Sequence, residues 1–180
     1  LHASSSKAHR QRERTVYPLK IYASTQTGRQ YLLCYAYQVR HLVFIRVDTI
    51  RKVVPGNVEK KHEVYAGYFN KFRDHLWGVS VGPGYSMDHI EMTIRVDEGE
   101  GHIPQRLERE KRNGRVQQID ENTYLFSADV YDAAEMLPWL RTFIGRIIKL
   151  ECSNQSVVDT FYADLDAMIR MYGGDDDAVQ

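Results

Sequence analysis

Arginine and tyrosine side chains are the residues of this sequence best suited to chemistry, and their spacing favours anion binding. Arg46 stands inside the apolar run 42–50, where a guanidinium needs a carboxylate, carbonyl groups or a ligand as its partner. Tyrosine rings in the same stretch can stack on bases or donate hydrogen bonds. The other candidates from residue type and position are Arg10, Arg12, Arg14, Arg29, Tyr17, Tyr31, Tyr35 and Tyr37.

Each of these candidates also has a purely structural interpretation. Arg46 can pair with Asp48, which lies two residues further on the same face of a strand. The tyrosines can pack against a helix formed by the segment that follows the strands. Both interpretations stay open at the level of sequence.

Catalytic motifs are not found in the chain. No serine stands in a nucleophile elbow, no glycine-rich phosphate loop precedes a helix, and no histidine pair has zinc-binding spacing. Gly82-Pro83-Gly84 lacks the third glycine of a nucleotide loop and is typical of a hinge. His62–Glu63 and Asp88–His89 are interpreted as surface pairs. The sequence therefore predicts a protein that is not an enzyme, with no catalytic residue, no metal ligand and no cofactor.

The charge of the chain is neutral in total but strongly uneven. The 180 residues contain 24 Lys+Arg and 24 Asp+Glu. Residues 1–61 carry a net charge of +9, and residues 62–180 carry −9. Halves of opposite sign favour two modules, of which the first has an anionic partner. The acidic second half should repel long DNA, so a short ligand is expected.

Cysteine use and hydropathy predict a cytoplasmic protein with no membrane partner. The apolar runs are far shorter than the ~20 residues that a membrane-spanning helix needs. The first residues are polar and then basic, unlike a secretory signal. Cys34 and Cys152 lie in separate apolar segments without metal or redox spacing, which is typical of buried thiols in a reducing compartment.

The first half of the chain has the pattern of short antiparallel strands. Residues 1–14 have no apolar periodicity and predict a mobile arm. Strands are expected at 16–24, 31–39 and 42–54, separated by tight turns. The expected strands place small aliphatic side chains on one face and aromatic or charged ones on the other. This pattern predicts a small antiparallel barrel or curled sheet, followed by a helical connector over 57–78.

The second half alternates strands and helices. Strands are expected at 90–96, 115–121, 123–130 and 146–153. Helices are expected at 102–114 and 132–144, the latter beginning with a capping box of Asp132 and Glu135 and becoming regular near Leu137 because of Pro138. Asn154 should cap a last helix that ends at Gly173–Gly174, before a disordered tail at 175–180. The order βαββαβ predicts a ferredoxin-like sandwich with an extra C-terminal helix.

Three short motifs, in this order, resemble the WYL domain of bacterial transcriptional regulators. They are Pro18-Leu19, Gly28-Arg29-Gln30-Tyr31-Leu32, and Ile45-Arg46-Val47-Asp48-Thr49-Ile50. Residues 75–82 look like the linker of this family, and residues 137–145 with the final helix are similar to its C-terminal extension, the WCX domain. The sequence differs from the family at Gln30, where the motif has tryptophan, and at Tyr17, where histidine is frequent.

The resemblance implies a ligand-sensing region. It implies an α+β chain with an Sm-like or SH3-like antiparallel β-barrel at 1–56, a helical connector and linker at 57–86, a WCX-type ferredoxin-like domain at 87–174 and a disordered tail at 175–180. It also implies a homodimer, and a chain that lacks the family's N-terminal helix-turn-helix and its first barrel strand. Double-stranded DNA would be bound only through that missing helix-turn-helix. The ligand-binding residues implied are Arg14, Tyr17, Arg29, Tyr31 and Arg46.

Three functions follow as hypotheses. The first is an effector-sensing and dimerisation region that binds a nucleotide, short single-stranded nucleic acid or another anion on the barrel. The second is a structural dimerisation module without an effector, in which Arg46 is a satisfied ion pair. The third is a stand-alone Sm-like RNA-binding protein.

Overall fold

The computed structural model describes residues 2–7 and 10–173, and the side chains of residues 13–173. The chain divides into two compact units, Leu1–Ser86 and Met87–Gln180. Each unit has its own antiparallel sheet and its own helices. The predicted α+β class is therefore confirmed.

The first unit is built on a five-stranded antiparallel sheet. Its strands are β1 (His2–Lys7), β2 (Arg10–Ala23), β3 (Gln30–Ala36), β4 (His41–Arg46) and β5 (Ile50–Val54). They lie side by side in the order β4-β3-β2-β1-β5. Consecutive strands β1 to β4 are therefore neighbours, whereas β5 lies on the far side of β1.

This strand order requires the sheet to curl. β4 and β5 are the two edge strands, yet only the 3₁₀ turn Val47–Thr49 joins them. Four strand spacings of a flat sheet would separate these edges by about 19 Å, whereas a link of three residues spans at most about 14 Å. No pairing between β4 and β5 is present in the described part of the chain, so a closed barrel is not observed.

Two expectations for the first unit were wrong. The described part of the 1–14 segment is strand rather than mobile arm, because β1 pairs with β2 on one side and with β5 on the other. The run 42–54 is also not one strand, since the turn at Val47–Thr49 redirects the chain from β4 to β5.

The small aliphatic side chains form the core inside the curl, as the alternation predicted. Cys34 and Ala36 of β3 pack with Val43 and Ile45 of β4 and with Val16 of β2. All five are at most 5% exposed. The inner face of the sheet is therefore a closed apolar core, and a polar ligand has to bind elsewhere.

The outer face of β2–β4 is covered in part by α1 (His62–Phe72). Tyr65 and Phe72 of this helix are buried. A bulge between Pro18 and Lys20 shifts the register of β2 against β3. Proline has no N–H for the ladder and is tolerated at such bulges. The extra residue places Tyr17 and Tyr22, five apart, on the same outer face.

The second unit is a split βαβ arrangement. Its strands are β6 (Met87–Arg95), β7 (Arg115–Asp120), β8 (Thr123–Tyr131) and β9 (Ile147–Cys152), in the order β7-β8-β6-β9. Its helices are α2 (His102–Glu110), the single turn α3 (Leu137–Leu140) and α4 (Gln155–Tyr172). Strand pairs are antiparallel throughout this sheet. This is the order of a ferredoxin-like sandwich with an additional C-terminal helix.

The helix ends differ in detail from expectation. A 3₁₀ turn at Ala133–Met136 precedes α3, and Pro138 lies in the first turn of that helix, where its missing N–H costs nothing. Asp132 makes no side-chain cap and takes a left-handed φ of 56°, so the predicted capping box was wrong. Asn154 is at the N-cap of α4, but its Oδ1 accepts from the Ser156 hydroxyl at 2.8 Å rather than from the backbone. The predicted tail at 175–180 lies outside the described residues.

Candidate functional site

A row of three outward side chains crosses the sheet of the first unit at one end. Tyr31 of β3 stands directly opposite Tyr22 of β2 and opposite Arg46 of β4. Side chains in directly opposed positions are close enough to contact the same small ligand. The row therefore combines two phenol rings with one guanidinium.

Two more cations flank this row. The Lys20 ammonium lies 5.6 Å from the centre of the Tyr22 ring. Arg73 follows α1 and lies near Tyr22. Burial raises the pKa of Tyr22, and the positive charge of Arg73 partly offsets that rise. We call the surface formed by Lys20, Tyr22, Tyr31, Arg46 and Arg73 the basic end. Tyr22 itself is held by edge or tilted contacts with Phe44 and Phe69, each at 5.8 Å between ring centres.

The two arginines of the basic end are in ion pairs at the surface. Arg46 Nε donates to Asp48 Oδ1 at 2.6 Å, with the two side chains 38% and 59% exposed. Arg73 Nε donates to Asp74 at 3.3 Å. The structural interpretation of Arg46 as a partner of Asp48 is thus present in the structure. Because both pairs face solvent, each stabilises the fold by only about 0–1 kcal/mol and can exchange partners.

Arg29 lies on the exposed turn that leads into Tyr31. Gly28 takes a left-handed φ of 67° there, which a side chain would disfavour, and its N–H donates to the Ser24 carbonyl at 2.8 Å. The Arg29 carbonyl accepts from the Ser24 N–H at 2.9 Å. The backbone of the turn is therefore fixed close to the basic end, while the Arg29 side chain is exposed.

Arg14 lies on the other face of the sheet. Arg14 is two residues before the buried Val16 in β2, and residues two apart in a strand point to the same face. The Arg14 side chain therefore belongs to the inner face. Its positive charge acts on the buried thiol of Cys34, where it opposes the stronger effect of burial. Arg14 and the basic end are therefore on opposite faces of one sheet.

The burial of Cys34 predicts an unreactive thiol. Burial raises the pKa of Cys34 to about 12, so only about one molecule in ten thousand carries the thiolate at pH 8. Cys152 is half-buried and should react first. We expect a disulfide reagent at pH 8 to modify one thiol in the native protein and two in denaturant. Rapid reaction of both thiols in the native state would contradict the enclosed core.

Tyr17 belongs to a separate cluster at the opposite end of the outer face. Its ring lies 4.9 Å from Tyr65, and the Tyr35 ring stacks on Tyr65 at 4.4 Å. Tyr37 meets Tyr35 edge-on at 5.6 Å. These contacts confirm that tyrosines of the sheet pack against the connector helix. Tyr17 and Tyr37 also line an open cavity of about 610 Å³, bounded by β2 and by residues 55–59. We call it the tyrosine cleft.

Glu59 is the charged residue of this cleft. The Tyr37 hydroxyl donates to one of its carboxylate oxygens, and the Lys61 ammonium is 2.6 Å from the other. These hydrogen bonds, first from Lys61 and then from Tyr37, hold the pKa of Glu59 below its usual value. Burial and the bond to Glu59 raise the pKa of Tyr37. The Glu59 carboxylate is therefore ionised at neutral pH beside the neutral phenol of Tyr37.

The five residues implied as one ligand site thus occupy three places. Tyr31 and Arg46 come together, Arg29 lies at the turn beside them, and Arg14 and Tyr17 are elsewhere. Sequence reasoning missed Lys20, Tyr22 and Arg73 at the basic end and Glu59 in the cleft. The two-residue spacing of Lys20 and Tyr22 shows in the sequence that they share a face of β2. The bulge at Pro18, which determines that this is the outer face, could not be inferred from the sequence.

The second unit contributes surface ion pairs rather than a further candidate site. His89 contacts Asp129 at 2.8 Å and Glu91 at 3.3 Å, and the hydrogen bond to Asp129 is the main reason that its pKa is raised. Within residues 13–173, no group of three or more His, Cys, Asp or Glu side chains could hold a metal ion. None of the described helices is long and apolar enough to cross a membrane.

Solved structures include chains that are similar to this one. No protein-family model and no curated protein matches the chain. Among solved structures, the chain is similar to proteasome accessory factor B/C (PafBC) of Arthrobacter aurescens, with 13% sequence identity and a TM-score of 0.43. The alignment covers 96% of this chain and 25% of that one, so this chain spans about a quarter of its length. A similarity at this level supports no conclusion about function.

Proposed function

We propose that this chain is the effector-sensing and dimerisation region of a bacterial WYL-family transcriptional regulator. In this proposal the first unit binds a nucleotide or short single-stranded nucleic acid at the basic end and catalyses no reaction. The proposal is supported by the motifs at Pro18, 28–32 and 45–50, which occur in the family's order. It is also supported by a curled sheet whose edges are joined by a 3₁₀ turn, the arrangement that an Sm-like barrel requires.

The pairing of Tyr31 with Arg46 is the observation that carries this proposal. The two residues stand directly opposite each other, with Tyr22 on the other side of Tyr31. A guanidinium binds phosphate oxygens through paired N–H donors, and a phenol ring beside it offers a face for a base. Lys20 and Arg73 would contact neighbouring phosphates.

The pair between Arg46 and Asp48 is compatible with ligand binding. Asp48 is 59% exposed, so it regains most of its hydration when Arg46 turns to a phosphate. A buried pair would resist this exchange, because the freed carboxylate would have no solvent. The exposure of Asp48 therefore favours the sensing hypothesis over a permanently satisfied pair.

Charge distribution favours a short ligand. The first unit, residues 1–86, contains 14 basic and 5 acidic residues, and the second unit carries the opposite net charge of −9. An excess of positive charge raises the local concentration of anions and their rate of association. A long polyanion would also meet the acidic unit, whereas a few nucleotides would occupy only the basic end.

Replacement of Arg46 tests the proposal directly. We expect Arg46→Ala to weaken binding of a fluorescent six-nucleotide oligothymidylate about tenfold, because one charge-assisted phosphate contact is lost. Arg95→Ala is the matched control, since Arg95 is also a strand arginine paired with an aspartate two residues on, Asp97, at 3.2 Å. Fluorescence anisotropy of the 180-residue chain measures both. Equal effects of the two substitutions would exclude a specific site at the basic end.

The same titration separates the alternatives. If no oligonucleotide or nucleoside monophosphate binds while sedimentation gives a stable dimer, the chain is a dimerisation module without an effector. Strong preference for oligouridylate over oligothymidylate would favour an Sm-like RNA-binding protein.

A further inference from the structure

The tyrosine cleft has a chemistry opposite to that of the basic end. The residues that line it include Tyr17 and Tyr37, the apolar residues Pro18 and Val58, and the acidic residue Glu59. Among the residues whose side chains the structure describes, 13–173, no lysine or arginine lines it. From these described lining residues, an anionic ligand would meet the negative charge of Glu59 and no lysine or arginine.

Phenol rings with a nearby carboxylate form a favourable environment for an organic cation. The face of a tyrosine ring carries negative electrostatic potential and attracts an ammonium group within about 6 Å of its centre. A further tyrosine, Tyr65, contacts both of these rings, with its ring centre 4.9 Å from that of Tyr17 and 6.3 Å from that of Tyr37. These contacts restrict the rings of Tyr17 and Tyr37, so that binding a cation costs little side-chain entropy.

The chain itself places an ammonium group beside this carboxylate. Lys61 Nζ lies 2.6 Å from Glu59, and the Lys61 side chain is 58% exposed while that of Glu59 is 31% exposed. Lys61 does not line the cleft, so it approaches Glu59 from outside. An exposed lysine of this kind is held weakly and can leave for solvent.

We propose that the tyrosine cleft binds a small organic cation, of the quaternary-ammonium or alkylammonium class, between Tyr17 and Tyr37 and against Glu59. The cation approaches Glu59 from the cleft while Lys61 turns to solvent. The site is distinct from the basic end and does not depend on the function proposed for it. The first unit would then carry one site for an anion and one for a cation.

Choline and its uncharged isostere 3,3-dimethylbutan-1-ol provide the first test. Both have the same shape, but only choline carries a charge. We expect saturable binding of choline to the 180-residue chain by NMR titration, with shifts of Tyr17 and Tyr37 signals. We expect the alcohol to bind at least about tenfold more weakly, because it lacks the cation–π and charge terms. Equal affinities would overturn the proposal by showing an apolar cleft without cation selectivity, as would failure of choline to bind.

Substitutions at Glu59, Lys61 and Tyr37 provide the second test. Glu59→Gln should weaken choline binding about three- to tenfold, whereas Lys61→Met should strengthen it, because the competing ammonium is removed. Tyr37→Phe keeps the ring and should retain binding that Tyr37→Leu loses. An anion in the cleft would respond in the opposite sense at Glu59 and Lys61, and that result would overturn the proposal.

Controls keep this test independent of folding and of the basic end. Circular dichroism melting should show that each variant is folded at the titration temperature. Lys61→Met supports the proposal only through a gain of affinity for choline, which unfolding cannot produce. Glu59→Gln should leave oligothymidylate binding unchanged. Loss of both ligands in that variant would place them in a single site and contradict two separate ones.

Discussion

Phe126→Ala is expected to lower the free energy of unfolding of the second unit by about 3–5 kcal/mol, because it removes a large ring from a core that cannot close around the gap. Phe126 has no exposed surface. Its ring lies 5.0 Å from Trp139, between centres. On the other side is the backbone of Gly114, where an added Cβ would lie 2.5 Å from the ring. Backbone and tryptophan thus both enclose the ring, and neither can shift far.

Urea unfolding measures this effect with two internal probes. Trp77 lies in the first unit and Trp139 in the second, so substitution of either tryptophan by phenylalanine leaves a reporter for the other unit. Tyr172→Ala is the control, since Tyr172 is 77% exposed and its loss should change stability by less than about 0.5 kcal/mol. A decrease below about 1 kcal/mol for Phe126→Ala would mean that the ring is not enclosed as described.

The fold of the second unit could be predicted closely because its signals are local. Each strand alternates apolar and polar residues, as in Ile90, Met92 and Ile94, all fully buried. Pro138 indicated that regular helix would begin late, and it does. The capping box predicted at Asp132 was wrong because a side-chain cap requires particular backbone angles. After the preceding strand, Asp132 takes a left-handed φ instead.

The first unit was less predictable because its first strand depends on tertiary contacts. The segment His2–Lys7 reads HASSSK and has no apolar alternation of its own. It is a strand because β2 and β5 both pair with its backbone. Propensity within the segment carries no information about its partners, which lie 3 to 13 residues away in β2 and 45 to 52 residues away in β5.

The candidate site was predicted in part for the same reason. Opposed strands place Tyr31 beside Arg46, two residues that the resemblance implied as ligand contacts. Arg14 and Tyr17 were grouped with them because the resemblance to the WYL family implies ligand contacts at these positions before Pro18. Their three-residue separation puts them on opposite faces of β2, and Tyr17 pairs with Tyr35 rather than with Tyr31. The bulge after Pro18 then places Tyr22, instead of Ile21, opposite Tyr31. A single inserted residue therefore decides that a tyrosine rather than an isoleucine stands opposite Tyr31.

Removal of all three cations of the basic end should abolish oligonucleotide binding. The variant combines Lys20→Ala, Arg46→Ala and Arg73→Ala, and we expect its affinity for six-nucleotide oligothymidylate to fall at least about 100-fold at 50 mM salt. Arg46 and Arg73 are 38% and 58% exposed and their ion pairs face solvent, so the fold should tolerate the change. Anisotropy titration measures the affinity, and circular dichroism checks the fold.

The salt dependence of binding distinguishes phosphate contacts from general attraction. Three contacts to a single strand predict a slope of about −2 for log affinity against log salt concentration, so that a change from 50 to 200 mM weakens binding about 15- to 20-fold. The triple variant should have a slope near zero.

A control with Arg95→Ala, Arg115→Ala and Lys149→Ala removes the same charge from exposed strand positions of the second unit. If that control lost affinity and slope equally, net charge rather than the basic end would govern binding. A threefold effect or less in the control, beside loss in the first variant, would locate the phosphates at the basic end, where Tyr22, Tyr31 and Arg46 stand in directly opposed positions.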